Sequence, residues 1–289
     1  MINRLTGVAA LLVIAAGVPA AMGSTFYGVT SNGGLTLFDM SAHTVTPLSS
    51  IHAGPNSPTG FYDLESDGAG NLYALRGFFD FNTFSNLNEL YRVTDVNTGN
   101  SLLSGSIAGV SGNPMQSLAY RASNSTYYTV NGNNGFVDTI DPTTGAWAPV
   151  TGLPNGTPRN QFNALAVNPV THVAYGLIDM GIPIIPTIDY TLVSVNLDTG
   201  VASMIGSLGQ TSDYLPSLRF DENGIAYTVG RTTGNVYTVD LNTGAATLLF
   251  AGGSAAVGTE GLALISVPAP AGAGVLVLGV AAMSRRRRR

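Results

Sequence analysis

The chain has 289 residues, 36 of them Gly and none Cys, and only 10% carry charge. The 12 basic residues are all Arg, and half of them lie in the two ends, so the stretch between sets six arginines against all 17 acids. A surface that acidic repels phosphate backbones and argues against nucleic-acid binding, and the lack of Cys removes disulfide and thiolate chemistry.

Residues 1–23 have the layout of a secretory signal peptide: Arg4, an apolar run from Val8 to Val18, then small residues. Ala21 and Gly23 place cleavage before Ser24, and the apolar run is far shorter than the ~20 residues that span a bilayer.

From residue 24 to 265 one pattern repeats five times. Each copy has a strand carrying Tyr at a fixed place, a connection, a second strand, and a turn ending in Gly. Tyr27, Tyr73, Tyr128, Tyr175 and Tyr227 mark the copies, and the turns end at Gly99, Gly145, Gly200 and Gly244, with His43 in that place in the first copy. The full unit adds an earlier and a later strand, as in Phe61–Glu65, Asn71–Leu75, Glu89–Val96 and Ser101–Ile107. Four short strands per unit, divided by Gly, Asn and Asp turns, predict an all-β fold. A unit that cannot bury its own faces predicts a closed array, here a β-propeller of five four-stranded blades. The first copy lacks its opening strand, and a strand around Leu262 has none after it, so the C-terminal strand is expected to complete blade one.

The five tyrosines are expected to pack between blades. The Asp95, Asp141 and Asp240 turns read as Asx turns closed by a left-handed Gly, since they lack the further carboxylates of a calcium loop. The loops entering the first strands gather Tyr62, Asp63, Gln116, Asn163, Asp213, Tyr214 and Glu260 at one mouth of the central channel, the expected binding site. Oxygen donors from different blades suit Ca²⁺, with Glu260, Asn163 and Asp213 or Asp63 as ligands. A polar, water-filled mouth explains the same residues. Asp63 and Glu65 share one face of a strand, where an acid–base pair and ordinary surface charge are both open readings. His43, His52 and His172 fall in different units without metal-ligand spacing, and no nucleophile elbow, P-loop or H-E-x-x-H is present. The insertions Gly181–Pro186 and Phe78–Phe81 are apolar enough to be exposed contacts.

Residues 266–289 form a three-part tail: Val267-Pro268-Ala269-Pro270, an apolar run from Ala271 to Met283, and Arg285, Arg286, Arg287, Arg288 and Arg289 after Ser284. Prolines resist regular structure, the run can enter a membrane, and the arginines hold the cytoplasmic side. This order resembles the PEP-CTERM sorting signal of Gram-negative bacteria, with Ala269 where that family has Glu. The resemblance implies an exosortase-type partner, transient anchoring in the inner membrane, and a biofilm or envelope setting. The repeat resembles NHL-like and YVTN-like propellers, which implies fold more than activity. Together these lead to the expectation of an exported, non-enzymatic protein of the cell surface or matrix that binds exopolysaccharide or an envelope protein. The alternative is a Ca-dependent hydrolase, since lactonase-type propellers hold Ca²⁺ on a Glu, an Asn and an Asp.

Overall fold

The computed structural model describes residues 24–53, 58–67, 69–80, 85–107, 115–131, 137–151, 162–180, 189–210 and 212–265. The leader and tail readings lie outside them.

Among the described residues, twenty strands build five antiparallel sheets. Blade one contains β1 (Thr25–Thr30), β2 (Gly34–Asp39) and β3 (Thr44–Ser50). Blade two is β4 (Phe61–Ser66), β5 (Leu72–Asp80), β6 (Ser85–Asp95) and β7 (Asn100–Ile107). Blade three is β8 (Met115–Arg121), β9 (Thr126–Asn131), β10 (Val137–Ile140) and β11 (Trp147–Thr151). Blade four is β12 (Phe162–Val167), β13 (Ala174–Asp179), β14 (Tyr190–Val195) and β15 (Ala202–Ser207). Blade five is β16 (Arg219–Phe220), β17 (Ala226–Val229), β18 (Asn235–Val239) and β19 (Ala246–Ala251). The last strand, β20 (Thr259–Leu264), pairs with β1 and gives blade one its inner strand. The five-bladed ring closed by the C-terminal strand is therefore as the repeat predicts. The inner strands β20, β4, β8, β12 and β16 touch one another in ring order.

Each inner strand alternates its side chains, and the repeat sets the alternation. Leu64, Leu118, Leu165, Leu218 and Leu262 occupy one position in the five copies, and all are fully buried. The residues on either side of each leucine turn to the other face of the strand, and Ala119, Ala166 and Ala263 among them pack in clusters with the leucine of the next blade. Two of the five repeat tyrosines, Tyr73 and Tyr227, meet Tyr127 and Phe26 edge-on, with centroids 5.5 Å apart, and so pack as expected.

The Asx turns also hold. Asp95 accepts from the Asn97 amide and the Thr98 hydroxyl, and Asp141 accepts from the Thr143 amide and the Thr143 and Thr144 hydroxyls. Gly99, Gly145, Gly200 and Gly244 take φ of 69–82°, and His43 takes φ 55° in the same role while stacking on Phe250 at 5.1 Å. Such φ values favour a residue without Cβ.

These turns do more than reverse the chain. Each observed one seats against the outer strand of the preceding blade, where a bulge breaks the ladder. Gly99 packs on the Ser50 carbonyl, Gly105 on Gly145, and Gly206 on Thr243 and Gly244. The bulged Ser104 donates its hydroxyl to the Pro142 carbonyl of the next blade at 2.7 Å, and the Ala246 amide donates to Leu208 O at 3.0 Å. Backbone thus meets backbone between blades.

A methyl group at Gly206 would overlap the Thr243 carbonyl. Gly206→Ala should lower unfolding stability by about 1–3 kcal/mol, as forced overpacking does, in urea titrations followed by tryptophan or tyrosine fluorescence. An unchanged midpoint and slope would show that the blades are not clasped there.

Candidate functional site

The channel is not an open tube. Arg219 stands at the inner-strand position that Ala119, Ala166 and Ala263 hold in other blades, and its guanidinium reaches the axis. One Nη donates to the carbonyls of Leu165 and Leu218 at 2.9 and 2.7 Å; the other donates to those of Leu64 and Leu118 at 2.9 and 2.6 Å, and to Asp63 Oδ2 at 2.8 Å. Four ring leucines from four blades thus turn their carbonyls onto one cation. Asp63 accepts further from Ser117 Oγ, the Leu118 amide and its neighbour Leu64 N. Burial pushes the Asp63 carboxyl up, and Arg219 with these donors pulls it back.

Asp63 was expected at the mouth and is instead part of this plug, 1% exposed, because its side chain points down the axis one residue below Tyr62. Glu65 is not surface charge either. It lies beyond the plug, with Oε2 3.6 Å from Arg219 Nε, and desolvation raises its carboxyl to about 7.

The mouth above the plug brings together Tyr62, Asn163, Tyr214 and Glu260, and adds Arg231, which the sequence did not single out. Glu260 Oε1 lies 2.7 Å from Arg231 Nε; the Glu260 side chain is 5% exposed and that of Arg231 46%. Burial drives the Glu260 carboxyl up to about 7, against the pull of Arg231. Tyr214 lies under the guanidinium, 5.6 Å from its ring centroid, and its hydroxyl is 3.5 Å from Asn163 Oδ1. The Asn163 amide nitrogen in turn is 3.4 Å from the Tyr190 hydroxyl. Burial first, and Glu260 next, push Tyr62 up and Tyr214 up to about 12, so both phenols stay protonated and can donate. Gln116 is half-buried, and its Oε1 is buried without a hydrogen-bond partner among the described residues.

Asp213, the third expected calcium ligand, is turned away. It accepts from the Thr232 amide at 3.0 Å and from the Thr233 hydroxyl, and so braces the loop that carries Arg231. The Arg231 amide is tied to Tyr214 O at 2.8 Å. The donor set does not fit Ca²⁺: Glu260 faces a guanidinium, Asp213 and Asp63 are filled by protein donors, and no group of three acidic or His side chains suited to a metal occurs among the described residues. The histidines do not gather: His43 stacks on Phe250, and His172 borders a cavity at the other end of the axis. Phe78 lies under the Arg76 guanidinium at 3.9 Å, while Gly181–Pro186 falls outside the described residues.

No protein-family model matches the chain, and no curated protein does. Among solved structures it is similar to the nidogen–laminin complex, with TM-score 0.54 and 9% identity over 85% of this chain and 99% of that one. It is also similar to a candidate 6-phosphogluconolactonase of Bacteroides fragilis, with TM-score 0.48 and 10% identity over 85% and 98%. A second such candidate, from Bacteroides uniformis, gives TM-score 0.40 and 16% identity over 78% and 67%. At these identities the likeness is one of fold. The expectation of a non-enzymatic surface or matrix protein is corrected by the mouth itself, where a buried acid lies beside a half-exposed cation. The expected transmembrane tail falls outside the described residues, among which no helix is long and apolar enough to cross a membrane.

Two consequences of the axis can be measured. Arg219→Leu strands Asp63 without its counter-ion and should cost about 3–5 kcal/mol by urea unfolding; a loss below ~1 kcal/mol would refute the plug. Glu65 and Glu260 bind protons more tightly folded than unfolded, so stability should fall as pH rises from about 4.5 through about 7. The melting temperature should therefore be higher at pH 5 than at pH 8, with a smaller difference in Glu65→Gln. An equal slope in that variant would remove Glu65 from the account.

Proposed function

We propose that the chain is a metal-independent hydrolase of lactones or simple esters, working at the mouth above the plug. The observation that carries this is the Glu260–Arg231 pair: a buried carboxyl balanced near neutrality, against a cation that stays half open to solvent. Perturbed acids beside a fixed charge in a cleft mark functional sites.

In this reading the Glu260 carboxylate takes a proton from water, and the hydroxide attacks the acyl carbon. Negative charge gathers on the carbonyl oxygen, where the exposed part of Arg231 and the protonated hydroxyls of Tyr62 or Tyr214 can meet it. Collapse breaks the acyl C–O bond, and protonated Glu260 returns its proton to the departing alkoxide. Asn163 fixes Tyr214, and Asp213 fixes the Arg231 loop, so two residues expected to ligate a metal serve as positioning groups. The lactonase descriptions of the two Bacteroides propellers suggest which carbonyl compounds to try first.

Export through the leader, and processing of the Pro-Ala-Pro tail by an exosortase-type enzyme, form a separate proposal. Mass spectrometry of the native protein should find ends near Ser24 and Pro268; intact ends would reject it.

A panel of γ- and δ-lactones and nitrophenyl esters tests the enzyme. Turnover should survive EDTA, and kcat/KM should drop as pH falls below about 7, where Glu260 takes up its proton. Glu260→Gln should lower kcat by about 10²–10⁴-fold in a protein that keeps its β-sheet circular dichroism. Absence of turnover across the panel, or full activity in that variant, defeats the proposal, and loss of activity in EDTA restores a metal.

A further inference from the structure

We infer that the opposite end of the axis is a second binding site, shaped for a small neutral molecule with an apolar ring and a single hydroxyl. A cavity of about 160 Å³ opens there, below the plug. That is room for several waters, yet the wall is mostly apolar, with Phe220, Leu264, Val167 and the ring of Tyr120 among its lining. Waters at such a wall find few partners, whereas an apolar ring gains by displacing them.

Arg219 and Glu65 form the roof, while Ser66, Asp67 and His172 also border the cavity. Arg219 donates through both Nη atoms to the plug, but its buried Nε–H has no hydrogen-bond partner. Glu65 Oε2, the nearest acceptor, is 3.6 Å away, beyond hydrogen-bonding distance, and already receives the Tyr120 amide at 3.2 Å. A carboxylate oxygen has a second lone pair to offer. Arg219 Nε is sealed beneath Glu65, and with a small outward shift of that carboxylate one hydroxyl accepts from Nε–H and donates to Glu65. A ketone lacks the hydrogen for Glu65.

The mixed charge around the cavity gives neither ion a matched partner set: an ammonium would meet the Arg219 guanidinium as well as Glu65 and Asp67, and a carboxylate would meet both acids as well as Arg219. The plug separates this cavity from the mouth, so the inference stands apart from the hydrolase reading. Neither Glu260 nor Arg231 lines it.

Saturation-transfer NMR titration of the full chain with cyclohexanol tests the site, with cyclohexylammonium and cyclohexanecarboxylate as the charged counterparts. Cyclohexanol should bind saturably and compete with itself, and both ions should bind about tenfold more weakly or not at all. Val167→Phe, which fills the cavity, should abolish binding, while Glu260→Gln leaves it unchanged. Ala122→Trp, at the exposed rim, supplies the same block if the first variant does not fold. Non-saturable binding, preference for either ion, or undiminished binding in a filled variant that folds would overturn the inference. Hydrolysis is not a readout here, so failure of the mouth as a catalytic centre leaves this result untouched.

Discussion

A single guanidinium on the ring axis sets what the rest of this propeller can do. Five inner strands meeting around a narrow centre leave backbone carbonyls with little access to water, and buried acceptors without donors are costly. Arg219 supplies donors to four of them and takes Asp63 as its counter-ion. A buried ion pair is weak evidence of stability, because desolvation offsets attraction. Here the cation also satisfies backbone from four blades, so its role is to fix how those blades converge.

The plug also divides two glutamates that would otherwise look alike. Both carboxyls are raised to about 7 by burial, and both lie within reach of an arginine. Glu65 shares a guanidinium whose Nη donors are already committed, which leaves it a roof over an apolar cavity. Glu260 meets a guanidinium that is half in solvent, with its outer part open to an incoming carbonyl. Similar acidity therefore supports binding at one end and proton transfer at the other.

The ring itself was legible because repetition reports geometry directly. Missing half-units at residues 24–30 and 259–265 could only be reconciled by closure, and strand alternation followed from Gly and Asn turns. The mouth was partly legible: Tyr62, Asn163, Tyr214 and Glu260 follow from their places before or at the start of inner strands. What these groups pair with was not. Asp63 and Arg219 are 156 residues apart, and spacing says nothing about which cation answers which acid. One signal was present and went unused. Aligning the inner strands puts Arg219 and Glu65 where three other copies carry Ala, a charge pair at a position otherwise reserved for the smallest side chains. Arg231 gave no such signal, because it sits in a hairpin loop where an arginine is unremarkable.

Closure of blade one by β20 has a consequence in time. Phe26 finds its partner Leu264 only after nearly the whole propeller has been made. Until then β1 is an open edge, and the ring of inner strands has a gap where the plug's neighbours should stand. Bringing such distant segments together is a slow, entropically opposed step. A chain emerging from the ribosome therefore stays unfinished until its last strand arrives.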